Sequence, residues 1–417
     1  MSLKGIKKIV VAIFISGFGK FLGFVREVLV AGMYGVSHVT DAFFASQQVF
    51  LIISNYVFGA FNMAFVPHYI KLKSKNSEKF FSGVIFLLLL GIGVLINGVL
   101  IFWINGYIKI FPVTDLLGDF VEIMSYSVVP TLIVGLAYAV FHAEGRHYLA
   151  NFIGIAMTVG MLATLLFYWV LSAGEEKKDF LYALPFSYLI GTLLSFLLVF
   201  LVGRKYLAPN INLKNIDKSF IKSLSSSSVE NVFFNINQST TVYFAAIAGA
   251  GVVASNAYAM RVAMLPLGII SSQLGNIYQT WIGKKITLEE RPSRKVFFAM
   301  CLPGVVIAIF MIVFGGEIIK LIYERGNFSK ENTAQVVELL TPYAAYFVVM
   351  SINQLAARHF FALNKGAVYV RLMVFAYIFA SLGKYIFSDN FINVLWVSVL
   401  FEGLVSLIMC AMIWRGR

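Results

Sequence analysis

The chain has 417 residues, 59% of them hydrophobic and 13% charged, with a mean hydropathy of +0.84. A soluble domain carries about 25% charged residues, so the composition excludes a soluble fold and implies an integral membrane protein. The net charge of +13 does not point to nucleic acid, because the lysines and arginines lie in short segments between apolar runs rather than on one basic face.

The apolar runs are near 20 residues long. That length carries a helix across about 30 Å of hydrocarbon, and barrel strands are about half as long. The expected fold is therefore all-α and polytopic, with about twelve spans: 9–34, 40–68, 80–104, 119–142, 148–172, 179–203, 220–248, 252–282, 295–322, 332–362, 366–386 and 391–414.

The first span follows a lysine-rich start with no small-residue cleavage site, so it reads as uncleaved. It carries Lys20, Arg26 and Glu27. An intramembrane charge costs roughly 2.5–3.5 kcal/mol on insertion scales and is normally kept for work inside a protected cavity. Lys20 and Glu27, seven apart, share a helix face. Two readings stand: an ion pair that locks helix packing, or a cationic site in a wet cavity with Glu27 holding Arg26. Arginine suits the second, because its planar fork grips phosphate bidentately and stays charged when buried.

Span two opens on Asp41, which reads equally as a helix cap and as a functional acid. It continues through Gln47, Gln48, Ser54, Asn55 and Asn62, too polar for a lipid-facing helix. Pro67, Pro130, Pro185, Pro266 and Pro303 are kink candidates. A polar segment at 204–219 divides an N-terminal lobe (1–203, spans one to six) from a C-terminal lobe (220–417, spans seven to twelve). A weak repeat, Phe141–Arg146 against Phe360–Gly366, suggests two pseudo-symmetric six-helix lobes around a central cavity.

Span seven places Ser223, Ser227, Asn231, Asn235 and Gln238 on one face. Such a stripe either glues helices together or lines a wet cavity, to which span two adds Asn55. Span eight brings a second intramembrane cation, Arg261. Span ten ends on Arg358, which either snorkels to head groups or supports the anion site. Arg371 and Glu402 are further intramembrane charges without an assigned role, and Cys301 and Cys410 read as small hydrophobes. With the N-terminus cytoplasmic, 21 basic residues fall inside and 5 outside, which puts both termini in the cytoplasm. The sequence holds no GxxxxGK[ST], HExxH or GxSxG motif, and its outside segments are short, which argues against an enzyme.

Six segments in order carry a family resemblance: GFVREVLVAGMYGVSHVTDAFFAS (23–46), GAFNMAFVP (59–67), AEGRHYLAN (143–151), NAYAMRVAMLPLG (256–268), LIYERGNFSKENT (321–333) and LAARHFFALNK (355–365). They resemble the lipid II flippase (MurJ/MviN) family of the multidrug/oligosaccharidyl-lipid/polysaccharide exporter superfamily. The resemblance implies a flippase that moves an undecaprenyl-diphosphate-linked saccharide across the bacterial inner membrane by alternating access. The cargo would be lipid II or a related glycan such as an O-antigen or capsule unit. The family's cavity cations fall on Arg26 and Arg261, its acidic partner on Glu27 and its span-two acid on Asp41; Lys20 and Arg358 would support them. Departures are Ser54–Asn55 in place of an arginine pair, Met260 in place of an acid, and Thr241 where the family has an aspartate associated with sodium binding. Twelve spans are expected here, where family members commonly have fourteen.

No cofactor is expected. The drive would be a coupling ion, sodium or a proton, or the membrane potential. The expected partners are the polyprenyl-diphosphate saccharide, membrane lipids and other cell-envelope glycan biosynthesis proteins. A cation-coupled multidrug efflux antiporter of the same superfamily is the alternative, although such a site would favour acids over arginines. A membrane glycan polymerase is a third reading.

Overall fold

The computed structural model describes residues 3–73, 77–111, 113–171, 179–204, 207, 209, 216–271, 274, 275, 277–279, 281, 282, 294–363 and 365–415. Most of the 204–219 segment, and Gln273 and Asn276 of span eight, lie outside the described residues. The described elements are all helices: α1 (Leu3–Tyr34), α2 (His38–Asn55), a π turn (Tyr56–Phe61), α3 (Asn62–Lys73), α4 (Glu78–Phe102), α5 (Ile104–Ile110), α6 (Leu116–Ser125), α7 (Val128–Ala143), α8 (His147–Leu171), a 3-10 turn (Asp179–Tyr182), α9 (Ala183–Gly203), α10 (Lys218–Ala248), α11 (Val252–Pro266), a second π turn (Leu267–Ser271), α12 (Arg294–Tyr323), α13 (Lys330–Ala362), α14 (Gly366–Ile386) and α15 (Phe391–Arg415).

Among the described residues, eight helical stretches are long and apolar enough to cross a membrane, and nine if α6 and α7, bent by 46°, form one span. Expected span two is the continuous stretch His38–Lys73, and expected span four is the bent pair. Pro130 and Pro185 lie in the first turns of α7 and α9, where a missing N–H costs no intrahelical bond. Helix α10 is not among these stretches: its serines, asparagines and glutamine interrupt the apolar run.

The chain divides into two compact units. The first holds residues 1–30 and 41–231, the second 31–40 and 232–417. In the first unit α8 packs on α9 at a glycine crossing: a methyl group added at Gly160 would lie 2.7 Å from the Gly191 Cα. Small residues let two membrane helices approach this closely, which maximises dispersion contact where no hydrophobic force separates protein from lipid. Gly135 of α7 likewise leaves room for Val57 of the first π turn. An aromatic core of Phe65, Phe81 and Phe220 joins α3, α4 and the start of α10, with ring centroids 5.2 and 5.1 Å apart.

At the end of α7, Glu144 accepts hydrogen bonds from Tyr69 (3.0 Å) and Lys73 (2.8 Å) of α3. Burial pushes the Glu144 carboxyl up, but those hydrogen bonds and the charges of Lys73 and Arg146 outweigh it and hold it below its ordinary value. Before α10, Asp217 accepts from the Ser219 hydroxyl and the Phe220 amide, which with nearby His68 and Lys71 lowers its carboxyl to about 2.

In the second unit α13 packs on α11, α12 and α15, and α14 on α15. The core gathers Tyr278, Phe297, Phe360, Met373, Tyr377 and Met409, with Cys301 and Cys410 packed against it as free thiols. Three of the segments that carry the resemblance meet here. The Asn327 amide donates to Gly32 O at 2.8 Å, and Tyr258 OH donates to Gly35 O at 3.2 Å. Gly35 (φ +60°) and Gly326 (φ +58°) make the turns, and a methyl group on either would sit 2.3 Å from a carbonyl oxygen of the other segment.

Candidate functional site

In the first unit, Arg26 of α1 donates through Nε to Glu27 Oε1 at 3.1 Å and through Nη2 to the same oxygen. Its Nη1 donates to the Met161 sulfur of α8 at 3.1 Å. Glu27 is buried, while the Arg26 side chain keeps 20% of its exposure. A carboxylate on one edge fixes the plane of a guanidinium, and its five N–H groups exceed what Glu27 and Met161 take up. Tyr188 of α9 is buried beside this cation, its hydroxyl hydrogen-bonded with Ser54 of α2. Ser54, at the position of the family's first span-two arginine, thus meets a tyrosine near Arg26.

Asp41 is buried in the first turn of α2, where the helix dipole favours an acid. It is not the capping residue. Ser37 and Thr40 form the reciprocal pair: the Ser37 amide donates to Thr40 Oγ1 at 3.0 Å and the Thr40 amide to Ser37 Oγ at 3.4 Å.

Lys20 lines a hollow of about 350 Å³ in the same unit, with Phe58, Tyr138, Asn151 and Ser195 around it. The first π turn follows Asn55 directly. The N-terminal half of α10 packs on it: Asn231 Nδ2 donates to Asn55 O at 3.4 Å, and Ser227 Oγ to Ala60 O at 2.9 Å. A π turn displaces backbone carbonyls from the regular ladder and is common at functional sites; here Ala60 O within the turn and Asn55 O just before it accept from side-chain donors.

The rest of the span-seven stripe belongs to the second unit. Asn235 is buried, and Gln238 Nε2 donates to Tyr346 OH at 3.4 Å. Arg261, half-buried on α11, follows Tyr258 by three residues and Asn256 by five; Asn256 accepts from Tyr343 OH at 2.5 Å. Arg358 of α13 donates to Gln279 Oε1 at 3.0 Å.

The second unit also holds a polar cluster that sequence reading left without a role. Lys384 of α14 and Glu402 of α15 are both fully buried. The Lys384 ammonium donates to Asn237 O (2.8 Å), Asn237 Oδ1 (2.6 Å) and Thr241 Oγ1 (2.7 Å). Glu402 accepts from Asn237 Nδ2 at 2.9 Å and from Tyr346 OH at 3.1 and 3.0 Å to its two oxygens. The available signal was two opposite charges in consecutive apolar helices. Thr241 stands where the resemblance puts the family's sodium-associated aspartate, a departure already visible in the sequence, and the residues present do not fit a bound sodium ion, because the Lys384 ammonium already uses the oxygens that would ligate it.

A profile described as lipid II flippase MurJ matches residues 30–416. The chain belongs to the lipid II flippase MurJ family. The "probable lipid II flippase MurJ" of Buchnera aphidicola (from Acyrthosiphon pisum) is 23% identical over 388 residues, covering 85% of this chain and 73% of the relative. That of Rhizobium tropici is 23% identical over 352 residues, covering 77% and 64%. The chain thus spans about two thirds to three quarters of these MurJ relatives. Among solved structures, a lipid II flippase MurJ in an inward closed conformation superposes with a TM-score of 0.81 at 17% identity, over 98% of this chain and 88% of that one. An inward-facing multidrug MATE transporter of the MOP superfamily gives 0.76 at 12% identity over 96% of each chain. At these identities both likenesses are of fold, an all-helical one shared by MurJ and MATE proteins. The MurJ profile, not the fold, separates the flippase reading from the efflux alternative.

Proposed function

We propose that this chain moves lipid II, or a closely related polyprenyl-diphosphate saccharide, across the bacterial inner membrane by alternating access, with both termini in the cytoplasm. The observation that carries the reading is the MurJ profile match across 30–416. The geometry of Arg26 supports it: Glu27 and Met161 hold the guanidinium and leave N–H groups for an anion. Arg26 and Arg261 serve as the diphosphate-binding cations, Glu27 orients Arg26, and Asp41, Lys20 and Arg358 support them. Asn235, Gln238, Asn231 and Asn55 offer amides to sugar hydroxyls. No bond is made or broken, so no catalytic residue is needed. Moving one charge through 100 mV yields about 2.3 kcal/mol, enough for the membrane potential to bias a two-state carrier.

The test is transport of a fluorescent polyprenyl-diphosphate saccharide in vesicles reconstituted with the purified chain. Transport above protein-free vesicles, lost in Arg26→Ala and Arg261→Ala, supports the reading. Transport of cationic drugs instead would return the efflux alternative.

A further inference from the structure

The Lys384 ammonium has three N–H groups, and three oxygens take them at 2.6–2.8 Å. All three are uncharged: a backbone carbonyl, an amide oxygen and a hydroxyl. That is the donor set a hard cation selects, and hard monovalent and divalent ions are held by such carbonyl and hydroxyl oxygens. The carboxylate stands one residue further back. The Asn237 side chain lies between the two charges, Oδ1 toward the ammonium and Nδ2 toward Glu402, the only orientation of its amide that satisfies both. The charge of Glu402 is thus balanced by a cation seated in an oxygen cage, not by a direct ion pair.

The location favours a cation independently. Lys384 is in the last turn of α14, where the helix dipole is negative. Gly383 beside it lets α14 close onto α15, since a methyl group there would lie 2.9 Å from both Phe401 and Val397. The network therefore ties α10, α13, α14 and α15 together around one buried positive charge. A charge pair this deep is expensive to keep unless it does something an apolar core would not.

We propose that Lys384 is a resident cation: its ammonium fills a buried site built for a monovalent metal ion, so the second unit binds no exchangeable sodium there. A corollary is that the cage becomes a sodium site once the ammonium is removed, with Glu402 as its counter-charge. The inference concerns ion binding alone and holds whichever lipid-linked saccharide is carried.

The test is thermal unfolding of the detergent-purified full chain at pH 8 in 150 mM NaCl and in 150 mM choline chloride. The wild-type protein unfolds at the same temperature in both. Lys384→Ala unfolds about 2–4 °C higher in sodium, as expected when a ligand binds only the folded state. Lys384→Ala/Glu402→Gln is indifferent to the salt. Sodium stabilisation of the wild type, or of the double variant, overturns the proposal. So does a Lys384→Ala protein that folds without responding to sodium, or that folds in neither salt. None of these outcomes depends on transport, so failure here is distinct from failure of the flippase reading.

Discussion

The Nη1 of Arg26 lies 3.1 Å from the sulfur of Met161, a residue 135 positions away on α8. Thioether sulfur is a weak acceptor, so this contact steers the guanidinium without using it up. Together with Glu27 it leaves one N–H on each Nη without a protein partner among the described residues. Replacing Met161 by Leu keeps the volume and removes the acceptor. Saccharide-lipid flipping by Met161→Leu is expected to fall about 2- to 5-fold, with a melting temperature within a few degrees of wild type. Unchanged flipping would remove Met161 from the site.

The position of Met161 depends on a glycine. A methyl group at Gly191 would stand 2.5 Å from Met157 O and 2.6 Å from Met161 Cγ. Gly191→Ala must therefore push α8 away from α9, at a cost of about 1–3 kcal/mol. The expected result is a lower melting temperature and a loss of flipping larger than that of Met161→Leu. Gly154, where an added methyl group meets nothing within 4 Å, is the control, and its Ala variant is expected to be neutral.

Much of the fold was legible in the sequence because hydropathy is a sum over many residues. The spans read as 366–386 and 391–414 are α14 and α15 almost to the residue. The bend at Tyr126–Ser127 was not legible, because Pro130 nearby suggested a kink within a helix and instead begins one. Nor were the π turns, which local composition does not announce. At the site, Glu27 beside Arg26 followed from adjacency, whereas Met161 carries no charge or polar signal in an apolar run. The stripe on α10 was legible as a face. Its use was not: Asn231 meets a carbonyl beside a π turn in the first unit, while Gln238 meets Tyr346 in the second. Glu402 was visible as an intramembrane charge, but only packing shows that one amide, that of Asn237, connects it to Lys384.

Glu144 makes the first unit sensitive to acid. Its folded-state carboxyl lies below the ordinary value of 4.5. Its stabilising contribution is therefore complete above pH 4.5 and is lost as pH falls through the lower folded-state value. Glu144→Gln is expected to lower stability at pH 7 and to leave it closer to wild type at acid pH. Melting temperatures of both proteins between pH 3 and 7 check this; parallel curves would show that Glu144 carries no linkage.

The buried charges of the second unit should not be separable. Glu402→Leu leaves the Lys384 ammonium buried without its counter-charge, at an expected cost of about 3–5 kcal/mol. Lys384→Met/Glu402→Leu removes both charges and is expected to be less destabilised than the single variant. Denaturant midpoints in choline chloride decide it: a double variant no more stable than Glu402→Leu alone would mean that the two charges are not coupled through Asn237.

Whether Arg26 holds the diphosphate of a lipid-linked saccharide is decided by complementation. The chain, with Arg26 or with Arg26→Ala, is expressed in bacteria whose own lipid II flippase can be switched off, and lipid II reaching the periplasmic leaflet is measured. Losing charge-assisted bonds to phosphate is worth about 10- to 100-fold. The wild-type chain is expected to restore periplasmic lipid II, and Arg26→Ala, present in the membrane at equal amount, to lower it by that factor. Restoration by Arg26→Ala at the wild-type level would contradict that role for Arg26.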